Sequence, residues 1–205
     1  MDCRHYPRVA IFDIDNTLTV AADHQACTTL PGPEPAWPVK GSGTTQAVLK
    51  ALRAADDAGF KIALASAESW NQQYNDAQRS FLRNLLQDAG IKDSPLGTEA
   101  EQSAFNLISG ATPHSKDTAF AATDGGALGM KEAMFLNILK AYDVPYGCFH
   151  NSVVIDDQTE NLCAAHALGL QTIQSSPSCA GSYCTRGCGI TPATADILKG
   201  LAMAP

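Results

Sequence analysis

Val9-Ala10-Ile11-Phe12-Asp13-Ile14-Asp15-Asn16-Thr17 joins an uninterrupted apolar run to two aspartates one residue apart. The run reads as a strand buried on both faces, and the aspartates as its polar end. In extended backbone, residues i and i+2 project to the same side, so Asp13 and Asp15 share one side of the chain end. Two ionised carboxylates cannot be buried there without compensation, because desolvating each costs more than a strand residue gains. They need a cation, water or both, and a hard-cation site is the natural expectation.

Moving outward, the same alternation recurs. Ala47, Val48, Ala51, Leu52 and Ala55 mark one face of a helix over roughly Thr44 to Ala58, closed by Gly59. Lys61 to Ala65 is a short strand ending at Ser66, and Phe81, Leu82, Leu85, Leu86 and Ala89 repeat the helical spacing before Gly90. A third helix, from about Lys131 to Tyr142, is followed by the strand Ser152 to Ile155, with Asp156-Asp157 at its end. A short helix ending at Leu168-Gly169, the strand Leu170 to Ile173, and a closing helix begun by Thr191-Pro192 complete the pattern. Strand and helix in alternation predict an α/β, Rossmann-like three-layer sandwich around a mainly parallel sheet.

A chain of 205 residues predicts a single domain over 1–205. Residues 20–42, with Pro31, Pro33, Pro35 and Pro38, read as a flap rather than a cap domain. Residues 91–130 read as an irregular insert, with Phe105 to Ile108 or Thr118 to Ala121 as a strand candidate, and 174–190 as a Cys/Ser/Gly-rich loop. No apolar run is long enough to span a bilayer, and a formal net charge of −7 disfavours a broad nucleic-acid footprint. Of seven cysteines, Cys3, Cys27, Cys148 and Cys163 are isolated, which predicts reduced thiols and a cytoplasmic location. Cys179, Cys184 and Cys188 lack the paired spacing of a zinc site, so loop thiols, or one disulfide under oxidising conditions, are expected there even with Cys27 or His24 considered as a fourth ligand.

In a parallel sheet, ligands bind beyond the carboxyl ends of the strands. Those ends present Asp13 and Asp15, Ser66, and Asp156 with Asp157. Several carboxylates without a histidine–cysteine set favour magnesium over zinc. These residues resemble the haloacid dehalogenase-like superfamily. The first motif of that family, an apolar run and Asp-x-Asp-x-Thr, matches Ile11 to Thr17. Its strand-ending Ser or Thr matches Ser66, its helix-opening lysine Lys131 within Gly129-Met130-Lys131-Glu132, and its acidic pair Asp156-Asp157. Lys116 is a rival for the lysine, but it lies too far ahead of the acidic pair.

The resemblance implies a magnesium-dependent phosphohydrolase. Asp13 is then the nucleophile that forms an aspartyl phosphate, and Asp15 the general acid and base. Ser66 and Lys131 bind the transferring oxygens. Asp13, the Asp15 carbonyl, Asp157 and Asp156 are the magnesium ligands. Asn161 is a candidate for positioning Lys131. The implied partner is a phosphorylated small molecule or macromolecule, and a homo-oligomer is one way to close an uncapped site. Transfer to an acceptor other than water and a scaffold role with little activity are the alternatives.

Overall fold

The structure, a computed structural model, describes residues 1–14, 17–18, 43–65, 84–91, 127–175 and 190–202. Its described strands are β1 (Arg8–Asp13), β2 (Phe60–Ala65), β3 (Val153–Asp156) and β4 (Gln171–Gln174). They form one sheet in the order β2-β1-β3-β4, and every pair is parallel. The helices are α1 (Gly43–Asp57), α2 (Ala127–Ala141), α3 (Thr159–Ala167) and α4 (Pro192–Ala202), with a further helical stretch at 84–89. The expected α/β class with a parallel sheet is what the described residues adopt.

The apolar runs explain the sheet. Val9, Ala10, Ile11 and Phe12 are all fully buried, as are Val153, Val154 and Ile155. Such continuous burial is typical of strands covered on both faces, and each large side chain contributes about 1.5–3 kcal/mol. The helices pack as two pairs, α1 with α4 and α2 with α3. β1 leads through α1 to β2 on one side, whereas β3 leads through α3 to β4 on the other. Right-handed crossovers in opposite directions put α1 and α3 on opposite faces. The winding therefore reverses between β1 and β3, where a doubly wound sheet leaves a crevice at its carboxyl edge.

Boundaries follow cap chemistry. Gly59, Gly90 and Gly169 have φ of 80°, 81° and 86°, and each ends a helix in the left-handed conformation. The residues that follow, Phe60, Ile91 and Leu170, turn straight into the core. α2 ends with the same device built on Asp143 (φ 54°), where the Val144 amide donates to the Leu139 carbonyl at 2.9 Å. At the amino edge of the sheet, Arg8 donates to the carbonyls of Leu201 (2.7 Å), Ala58 (3.4 Å) and Asn151 (3.4 Å) and lies 4.1 Å from the Phe60 ring centre. One side chain thus ties the ends of α1 and α4 to the sheet.

Two expectations need correction. α2 begins at Ala127, four residues before the expected start at Lys131, so the last residues of the proposed 91–130 insert are helical. Gly129 falls within the first turn, which tolerates glycine because its amides lack helical partners in any case. Cys3 and Cys148 are not reduced thiols; they form a disulfide with Cα atoms 5.4 Å apart. Scattered positions in sequence say nothing of proximity, and here strand pairing brings the two together. Cys163 is free and exposed. No helix among the described residues is long and apolar enough to cross a membrane. The flap at 20–42, most of the 91–130 insert with its candidate strand, and Cys27, Cys179, Cys184 and Cys188 lie outside the described residues.

Candidate functional site

Asp13 is the last residue of β1, and Asp156 the last of β3, immediately beside it in the sheet. Parallel pairing in register, Phe12 opposite Ile155, delivers both carboxylates to the same edge. Asp157 follows, and one oxygen from each of Asp13, Asp156 and Asp157 lies within 4.8 Å of the others. All three acids are buried, Asp156 completely.

Lys131 enters this cluster from α2. It lies three and four residues before the buried Met134 and Phe135, so helical geometry turns it to the core face, where it is only 1% exposed. Its Nζ donates to Asp13 Oδ1 at 2.6 Å and to the Ala65 carbonyl at 2.8 Å, and stands 3.4 Å from Asp156 Oδ2. One ammonium therefore joins the ends of β1, β2 and β3. Its position in the second turn of α2, rather than at the helix start, is what gives the side chain this reach from a buried face.

Asp156 is held from its other side. Asn161 Nδ2 donates to Asp156 Oδ1 at 3.0 Å and Oδ2 at 3.1 Å, and the Gln158 amide donates to Oδ1 at 2.9 Å. Asp156 thus organises the start of α3 while it faces Lys131. Asn161, a candidate for positioning Lys131, makes its hydrogen bonds to Asp156, the acid that Lys131 approaches. Its Oδ1 is buried without a hydrogen bond among the described residues.

Thr17 anchors the turn that follows β1. The amides of Thr17 and Leu18 donate to the Ile14 carbonyl at 3.3 and 2.9 Å, and Thr17 Oγ1 shares a 3.3 Å hydrogen bond with Ser175 Oγ. The Thr17 carbonyl accepts from the Ile190 amide, and the Ser175 amide donates to the Asp156 carbonyl at 3.0 Å. Ser175 has no motif to announce it; its place directly after β4 is the only signal in sequence.

Burial dominates the electrostatics. Desolvation pushes the Asp13 carboxyl well above the usual range; Lys131 opposes this by charge and hydrogen bond, while Asp156 and Asp157 add to it. For Lys131, burial pulls its proton affinity down, but Asp13 and Asp156 more than offset this and hold it raised. When ionised, three carboxylates against one ammonium leave a net charge of −2 (−3 from the acids, +1 from Lys131). That deficit and the all-oxygen donor set fit one hard divalent cation.

Of the residues singled out in sequence, the structure brings together Asp13, Lys131, Asp156 and Asp157. Asp15, Ser66 and Lys116 lie outside the described residues, as does His24. Compared with known families and with curated proteins, the chain matches no family model and no curated relative.

Proposed function

We propose that the protein is a magnesium-dependent phosphohydrolase of the haloacid dehalogenase-like kind, acting on a phosphomonoester through an aspartyl phosphate. The observation that carries this reading is the buried convergence of Asp13, Asp156 and Asp157 at the switch between β1 and β3, with Lys131 donating to Asp13. Asp13, Asp156 and Asp157 would hold the magnesium ion, together with the Asp15 carbonyl expected from the motif. When bound, that ion supplies charge neutralisation between the nucleophile and an anionic phosphate.

The chain's own groups do the remaining work. Lys131 keeps one Asp13 oxygen fixed and favours its ionised form, which a nucleophile requires. Asp13 Oδ2 is then the oxygen available to attack phosphorus. Asn161 and the Gln158 amide restrain Asp156 so that Lys131 is not drawn away from Asp13. Asp15 carries the proton to the leaving oxygen and later accepts one from water. Ser66, directly after the Ala65 carbonyl that anchors Lys131, is assigned to a phosphate oxygen.

The test is a panel of phosphomonoesters assayed with and without magnesium, on wild type and Asp13→Asn. Metal-dependent phosphate release that Asp13→Asn abolishes is expected. Turnover that ignores magnesium, or that survives in Asp13→Asn, refutes the reading.

A further inference from the structure

Cys3 and Cys148 stand at the same offset ahead of β1 and β3, each preceding the first residue of its strand by an equal number of positions. Each lies in a short 3-10 helix, Cys3–His5 and Tyr146–Asn151, and these two segments pack together. The disulfide therefore joins the amino ends of the two strands whose carboxyl ends hold Asp13 and Asp156. Between the disulfide and the strands, the Val9 amide donates to Ser152 Oγ at 3.0 Å, and the ladder begins with Ala10 opposite Val153. Adjacent parallel strands β1 and β3 are closed covalently at one end and by the Lys131 ion pairs at the other.

We propose that the Cys3–Cys148 bond is a redox-responsive clamp on the β1–β3 pair, open in a reducing environment and closed in an oxidising one. Closing it takes two hydrogens with their electrons from the two thiols and passes them to a small-molecule disulfide, which leaves as two thiols. A dithiol reductant reverses the step. Its thiolate attacks Cys3 Sγ, the partner that is only partly buried, Cys148 departs as a thiolate, and the second reductant thiol closes its own disulfide. Cys148, 1% exposed, is then a small buried thiol with its packing intact. The bond closes a span of 145 residues, so opening it releases a large loop-closure constraint on the unfolded chain.

Melting of the full chain under an oxidised glutathione buffer and after a dithiol reductant tests this, with amide hydrogen exchange at Val9 to Phe12 and Val153 to Ile155 as a second reading. A disulfide of this span predicts a melting temperature roughly 10 °C higher in the oxidised protein. Exchange at the β1 and β3 amides should quicken on reduction. Cys3→Ser, at the more accessible partner, should melt like reduced wild type and ignore the reductant. Equal melting in both redox states, a reductant effect undiminished in Cys3→Ser, or a peptide map of oxidised protein without the Cys3–Cys148 linkage overturns the proposal. The readouts are independent of turnover, so a protein without phosphatase activity tests the clamp equally well.

Discussion

Replacing Lys131 with methionine removes one charge while keeping an unbranched chain in the same buried space. At an effective dielectric constant of about 20, the contacts at 2.6 Å to Asp13 and 3.4 Å to Asp156 correspond to gross attractions of roughly 6 and 5 kcal/mol. Most of that is offset by the desolvation of Lys131, so the net cost is better taken from buried pairs that lose one partner, about 3–5 kcal/mol. The Ala65 carbonyl also loses its donor, at about 1–3 kcal/mol. The variant should therefore lose about 4–8 kcal/mol at neutral pH, a large part of a typical domain's stability. The loss should shrink at acid pH, because Asp13 without Lys131 can take up a proton instead of staying buried and charged. Urea unfolding in the presence of a chelator at pH 5.5 and 7.5 measures both effects. A cycle with Asp13→Asn isolates the pair: Lys131→Met should cost less in that background, by 1 kcal/mol or more. A loss below about 1 kcal/mol that is equal at the two pH values refutes the view that Lys131 compensates buried acids.

Three further outcomes follow from the geometry. Asn161→Ala removes the side-chain donors to both oxygens of a buried carboxylate and should cost about 2–3 kcal/mol in urea unfolding, with a parallel fall in any magnesium-dependent turnover. The folded-state proton affinity of Asp13 is raised, so the metal-free folded protein binds its proton more tightly than the unfolded chain does. Its contribution to stability is thus greatest at low pH and declines as pH rises through the folded-state value, and added magnesium should raise the melting temperature more at pH 7.5 than at pH 5.5. Asp143→Gly relieves a left-handed backbone position that glycine fills at three other helix ends among the described residues, and should raise the melting temperature by about 2 °C, measured by thermal unfolding.

The residues that were legible in sequence share one property: their signal is local. Asp13 stands out because an apolar strand runs directly into it, and Asp156-Asp157 because they follow the run Val153 to Ile155. α1 runs Gly43–Asp57 against an expected Thr44 to Ala58, since its apolar spacing and terminal Gly59 lie within one stretch. β3 and β4 each start one residue later than expected, at Val153 and Gln171, because periodicity marks a buried run but not the first ladder hydrogen bond. The route by which Asn161 acts was not legible for a different reason. A polar residue in the first turn of a helix can address either neighbour, and only the packing of α3 against β3 points it to Asp156. Lys131 carried a usable sign, its phase with Met134, Phe135 and Ile138, which places it on a buried face.

By itself, the sequence determined the strand and helix alternation, the parallel class of sheet and the acids at the strand ends, because each depends on residues within a few positions. Only the tertiary structure decided that β1 and β3 are neighbours, and with that everything that acts across them. Lys131 reaches Asp13 across 118 positions, and Cys3 reaches Cys148 across 145. Neither contact is favoured by spacing, since loop closure alone opposes both. They form because burying β1 and β3 side by side stabilises the core by more than the closure costs, and the side chains at the two ends of that pair are then already in place.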